Sequence, residues 1–104
     1  MEITPFGQLP SGETIERYTL TNSRGMSLSV ITYGGLISEL LVPDREGKTA
    51  DVILCFSTLE AYVASPLFLG TITGRVAGRI SGGRFTLEGQ DYQLEINNPP
   101  NHIH

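Results

Sequence analysis

Hydrophobic positions along the chain alternate with polar ones over short stretches and seldom recur at helical spacing. Residues 15–21, Ile-Glu-Arg-Tyr-Thr-Leu-Thr, carry β-branched and aromatic side chains and run into Asn22-Ser23-Arg24-Gly25, a turn composition. Met26, Leu28 and Val30 then alternate with Ser27 and Ser29, the period-two signature of a half-buried strand. Gly34-Gly35 interrupts the pattern. Residues 36–42 follow with apolar side chains on both faces, as in a strand covered on both sides. After the turn Pro43-Asp44-Arg45-Glu46-Gly47-Lys48, residues 51–56 read as a further short strand. One helix is expected: Ser57-Thr58-Leu59-Glu60 fits a capping box with Ser57 at the N-cap, and Pro66 limits it to two turns. Phe85 and Leu87 alternate, Glu88-Gly89-Gln90 turns, and Tyr92, Leu94 and Ile96 alternate on the return, which predicts a hairpin. The chain reads as all-β and antiparallel.

Composition narrows what such a chain does. With 104 residues it suits one small domain, residues 1–104, and 39% hydrophobic content excludes a disordered or collagen-like polypeptide. Seven basic against eleven acidic side chains give a net charge of −4, and Lys48 is the single lysine. That balance argues against nucleic acid or an anionic membrane as a partner. The N-terminus, Met1-Glu2-Ile3-Thr4-Pro5, lacks the basic start and apolar stretch of a secretory signal, and the longest strictly apolar run is residues 52–56. A cytoplasmic location is the expectation. Cys55 lies in that run as the one cysteine, so it forms no internal bridge and reads as a buried, inert thiol.

Candidate chemistry gathers late in the chain. Gly74-Arg75 and Gly78-Arg79 repeat at a spacing of four, ahead of Ser81-Gly82-Gly83 and Arg84. Glycine allows close backbone approach, and a guanidinium offers five donors in a fixed fork, so this stretch could hold a polyol or an anion. The plainer alternative makes the glycines bulges and pairs the arginines with Glu88, Asp91 or Glu95. No phosphate-loop motif and no nucleophile elbow is present. The only histidines, His102 and His104, would face one side of a strand, yet no further Glu or His follows them, so no metal site is expected. An imidazole is also the usual proton-transfer group and a good donor to a sugar hydroxyl.

Taken in order, several stretches resemble the aldose 1-epimerase (galactose mutarotase) family. They are Tyr18-Thr19-Leu20-Thr21-Asn22, Tyr33-Gly34-Gly35, residues 42–48, Asp51-Val52-Ile53-Leu54, residues 69–80, Phe85-Thr86-Leu87-Glu88-Gly89, Tyr92-Gln93-Leu94, and residues 97–104. The Gly-Arg-x-x-x-Arg-Ile block ending at Ile80 and the closing Asn-x-x-x-Asn-x-x-His block are the specific elements.

The resemblance implies the N-terminal part of a large antiparallel β-sandwich, the galactose mutarotase-like supersandwich. It also implies an isomerase that interconverts the α and β anomers of aldohexoses such as galactose and glucose, with no metal or organic cofactor. On the matching positions, Arg79 is expected to hydrogen-bond sugar hydroxyls and His104 to hold and polarise the sugar as a catalytic residue, 25 positions further on. Gly78 is expected to line the sugar site through its backbone, at a place where the family often has Asn. Cys55 stands where the family usually has Gly. By the same resemblance the proton-donating His and the basic Glu lie downstream of His104, so residues 1–104 alone are expected to be inactive. Uncovered β-edges in such a piece invite self-association. A sugar-binding module without turnover and a hexose-6-phosphate epimerase are the neighbouring alternatives.

Overall fold

In the computed structural model, which describes residues 1–104, the chain divides into two compact units, Met1–Ile72 and Thr73–His104. The first is an antiparallel meander of five strands: β1 (Glu2–Gln8), β2 (Thr14–Thr21), β3 (Ser27–Ile31), β4 (Ile37–Pro43) and β5 (Thr49–Asp51), hydrogen-bonded in that order. Two of its turns use one device. Asn22 Oδ1 accepts from the N–H groups of Arg24 and Met26 at 2.9 and 3.1 Å, and Asp44 Oδ1 accepts from Glu46 and Lys48 at 2.8 and 2.9 Å. Three residues after each lies a glycine with positive φ, Gly25 (79°) and Gly47 (82°), where a side chain would be strained.

Residues 2–8 carry no strand signature, yet they form the edge strand β1. Pro5 is tolerated there because an edge strand leaves one row of N–H groups unpaired, and the register shifts between Pro5 and Gly7. At Gly7 a Cβ would lie 2.8 Å from Leu59 Cβ, so the absence of a side chain lets the helix α1 (Leu59–Ala64) settle on the strand. Leu59, Tyr62, Ile15 and Ile31 form the buried core, with Phe6 and Phe56 against it. The Tyr62 ring lies 6.2 Å from Phe6 and edge-on to Phe56 at 5.2 Å. Its hydroxyl accepts the Phe56 N–H at 3.2 Å, so the polar tip is satisfied inside an aromatic cluster.

Three local expectations are corrected. The helix N-cap is Thr58, whose Oγ1 accepts from Ala61 N at 3.3 Å, rather than Ser57. Glu60 then sits one position too early for a capping box and acts only as a negative charge in the first turn. Next, residues 52–56 are not a strand. Asp51 Oδ1 accepts from Leu40 N at 3.1 Å, where a ladder would offer a carbonyl, and from Ile53 N at 3.2 Å. The chain turns away there and leaves Val52 and Leu54 exposed. On β3, finally, the fully buried positions are Ser29 and Ile31, while Leu28 and Val30 are half-buried. The side of the sheet under α1 is the Ile31 side, and Ser29 is satisfied there by Thr19 Oγ1 at 2.9 Å and Glu39 Oε2 at 3.3 Å. The opposite side carries Leu20, Leu28 and Leu40 in register. The strand over 36–42 is observed as β4, with only Ser38 buried.

The second unit holds the predicted hairpin, β6 (Arg84–Leu87) and β7 (Gln90–Gln93). Glu88 (φ 52°) and Gly89 (φ 78°) form a two-residue turn with both central residues left-handed, the geometry that suits strand twist. Phe85 and Tyr92 stack across it at 5.0 Å. The return strand ends at Gln93, short of Leu94 and Ile96. Both sheets are antiparallel, and the fold class is all-β as expected.

Two outcomes follow. Ile31→Ala, at a position with no exposed surface, is expected to cost about 2–5 kcal/mol in urea unfolding followed by circular dichroism, whereas exposed Val63→Ala stays within about 0.5 kcal/mol. The second concerns acid. Burial opposes ionisation of Asp51, but hydrogen bonds from the Leu40, Ile53 and Val52 amides and the Cys55 thiol outweigh it and hold its pKa below the ordinary 3.8. A carboxylate depressed in the folded state contributes stability above its unfolded pKa and loses it as pH falls through the folded value. The stability difference between the native chain and Asp51→Ala should therefore be full at neutral pH and shrink below pH 3.8, as read from unfolding midpoints.

Candidate functional site

Everything the sequence marks as sugar-facing lies in the second unit, on segments outside the hairpin strands. Ile80 and His102 exchange backbone hydrogen bonds, Ile80 N to His102 O at 2.8 Å and His102 N to Ile80 O at 3.1 Å. Between these two segments this is a single isolated pair, and it ties the stretch bearing Gly78 and Arg79 to the stretch bearing His104. All three are exposed.

What holds these segments is a set of carboxamides to which the sequence assigned no role, Asn97 and Asn101 having entered only as positions of the closing Asn-x-x-x-Asn-x-x-His block. Asn97 Oδ1 accepts from Ile103 N at 2.8 Å while its Nδ2 donates to Ile103 O at 2.9 Å, as a neighbouring strand would. Asn101 Oδ1 accepts from Gly82 N at 3.2 Å. Asn98 and Asn101 close the turn through paired backbone bonds at 3.0 and 2.8 Å around a cis Pro99-Pro100 bond. Asn98 Oδ1 also accepts from Arg79 Nε at 2.9 Å. Gln93 Nε2 donates to the carbonyls of Gly82, Gly83 and Leu94, and its Oε1 accepts from Arg84 Nε at 2.6 Å. The available signal was the density of asparagines around Pro99-Pro100, since Asn side chains readily replace backbone partners in turns.

Arg79 and Arg84 therefore meet amide oxygens in place of Glu88, Asp91 or Glu95. Asp91 is taken by Thr86 Oγ1 at 2.6 Å. With Nε spent on Asn98, the Arg79 guanidinium keeps its two terminal nitrogens as a planar donor fork. Glycine is required at position 83: φ is 63°, and a Cβ would lie 2.9 Å from Leu94 O and from Ile96 Cδ1.

The two histidines do not share a regular strand. His102 lies in the isolated pair with Ile80 and its Nδ1 is 2.7 Å from Glu95 O, so a neutral ring carries its proton on Nδ1 and donates it there. His104 has φ 64°, in the left-handed region. The period-two argument for a shared metal ion lapses with that geometry, and no group of three His, Cys, Asp or Glu is placed to hold a metal. Cys55, in the first unit, is half-buried and donates to Asp51 Oδ2 at 3.3 Å. Burial first, then Asp51 and the charge of Glu39, push its thiol above the ordinary 9.0. No helix is long and apolar enough to cross a membrane.

A family model described as aldose 1-epimerase matches residues 16–104. The galactose mutarotase of Mus musculus is 44% identical over 102 residues, which are 97% of this chain and 30% of the relative. A maltose epimerase of Levilactobacillus brevis is 38% identical over 92 residues, 88% of this chain and 27% of that protein. The crystal structure of a galactose 1-epimerase from Lactobacillus acidophilus NCFM superposes with a TM-score of 0.70 at 29% identity, covering 99% of this chain and 29% of that one. The chain spans about 30% of the length of the curated mutarotases it matches.

Because thiolate is the reactive species, Cys55 should react slowly with an aromatic disulfide reagent at neutral pH, followed by absorbance. Asp51→Asn removes the neighbouring charge, lowers the thiol pKa and is expected to speed the reaction severalfold.

Proposed function

We propose that this chain, which belongs to the aldose 1-epimerase family, supplies the sugar-holding side of a site that interconverts the α and β anomers of an aldohexose such as galactose or glucose. The observation that supports the reading is the Ile80–His102 backbone pair, which ties the segment bearing Gly78 and Arg79 to the segment bearing His104. The reaction is proton transfer. A base takes the proton of the anomeric hydroxyl while an acid protonates the ring oxygen, and the C1–O5 bond breaks to give the open aldehyde. Rotation about C1–C2 and the reverse transfers close the ring on the other face. A group able to give and take a proton near working pH serves both directions.

In this reading the Arg79 fork donates to sugar hydroxyls, Gly78 lets the sugar approach the backbone, and His104 donates to and polarises the sugar. The base and the principal acid come from polypeptide beyond these 104 residues, in keeping with the relatives' greater length. No metal or organic cofactor is needed for such chemistry.

The test joins this chain to the remaining part of the mouse galactose mutarotase and follows α-D-galactose by polarimetry. The fusion should accelerate mutarotation, and Arg79→Ala or His104→Ala should lower kcat/KM by about 10–100-fold, the loss of a hydrogen bond to a charged or polarising donor. Residues 1–104 alone should leave the spontaneous rate unchanged. A folded fusion without activity, or one indifferent to Arg79→Ala, would overturn the reading. Acceleration by residues 1–104 alone would overturn the division of labour.

A further inference from the structure

We propose that Asn98 is the positioning residue for Arg79, fixing the plane in which its guanidinium meets the sugar. The inference rests on the sugar-holding role given to Arg79 above and adds to it a residue assigned no part in the chemistry. An exposed arginine has several rotatable bonds, and holding it in one geometry costs side-chain entropy at the moment of binding. Here Nε is already bonded to Asn98 Oδ1 at 2.9 Å. A guanidinium only donates, so the carboxamide must turn its oxygen toward it.

Asn98 is itself held. Its backbone N–H and carbonyl both pair with Asn101, at 3.0 and 2.8 Å. Asn101 in turn accepts from Gly82 N at 3.2 Å, and His102, the next residue, pairs with Ile80, the neighbour of Arg79. The contact closes a ring of bonds between the segment 79–82 and the segment 98–102. It engages only Nε and leaves both terminal nitrogens free to meet two adjacent hydroxyls, so orientation is fixed without consuming the donors that do the binding.

Two readouts test this. In residues 1–104, the Arg79 Nε–H signal in a proton–nitrogen correlation spectrum should be displaced and slow to exchange. Asn98→Ala should abolish both properties, and Asn98→Asp should keep them. In the mutarotase fusion, Asn98→Ala is expected to lower kcat/KM for galactose about tenfold, chiefly through KM, with the pH profile unmoved, and Asn98→Asp should restore it. A structural role alone would not produce that rescue at equal thermal stability. An Nε–H signal indifferent to Asn98→Ala, or an unchanged kcat/KM in an active fusion, overturns the proposal. An inactive native fusion points instead to the parent reading, and the Nε–H signal then decides the contact by itself.

Discussion

A backbone N–H that leaves a strand ladder must find another acceptor, and in this chain the acceptor is repeatedly a side-chain oxygen of Asn or Asp. Asn22 and Asp44 close two turns of the meander in this way. Asp51 takes the Leu40 N–H and ends β5, and Asn97 takes both polar groups of Ile103. Asn101 takes Gly82 N. The strands are short, and the stretches between them are where the candidate chemistry lies. The shape of those stretches depends on these oxygens more than on hydrophobic burial, because the fully buried core amounts to Ile15, Ile31, Leu59 and Tyr62 in the first unit.

The same dependence explains what could be read from the sequence. Strands β2, β3, β4 and the β6–β7 hairpin announce themselves because alternation is a property of neighbouring residues. The Glu88-Gly89 turn follows from the two residues that tolerate it. β1 stays hidden, since Pro5 argues against a strand and only the partner strand and the seat of Leu59 on Gly7 make residues 2–8 extended. Residues 52–56 fail in the opposite direction: the apolar run is real, but the Asp51 carboxylate ends the ladder before it begins. The N-cap moves from Ser57 to Thr58 because placing Leu59 in the core decides where the first turn starts.

For the candidate site, the residue types and their order were legible and the geometry was not. Arg79 and His104 stood out by motif, and the Ile80–His102 pair that ties their two segments together required the turn at residues 98–101. The acids Glu88, Asp91 and Glu95 were reasonable partners for nearby arginines, but the hairpin register gives Asp91 to Thr86 and sets Arg84 opposite Gln93. Amide partners each engage one guanidinium donor without bringing a counter-charge.

The left-handed turn at Glu88 and Gly89 reaches beyond the hairpin it closes. Arg79 and Asn98 are 19 residues apart in sequence, and joining them in a flexible chain would carry the closure entropy of that whole loop. With β6 and β7 zipped from that turn, ten of the intervening residues are already ordered as Arg84–Leu87, the turn and Gln90–Gln93. The remaining loop is about half as long, and each halving removes roughly 0.6 kcal/mol of closure cost. The hairpin thereby lowers the entropic cost of bringing Arg79 and Asn98 together.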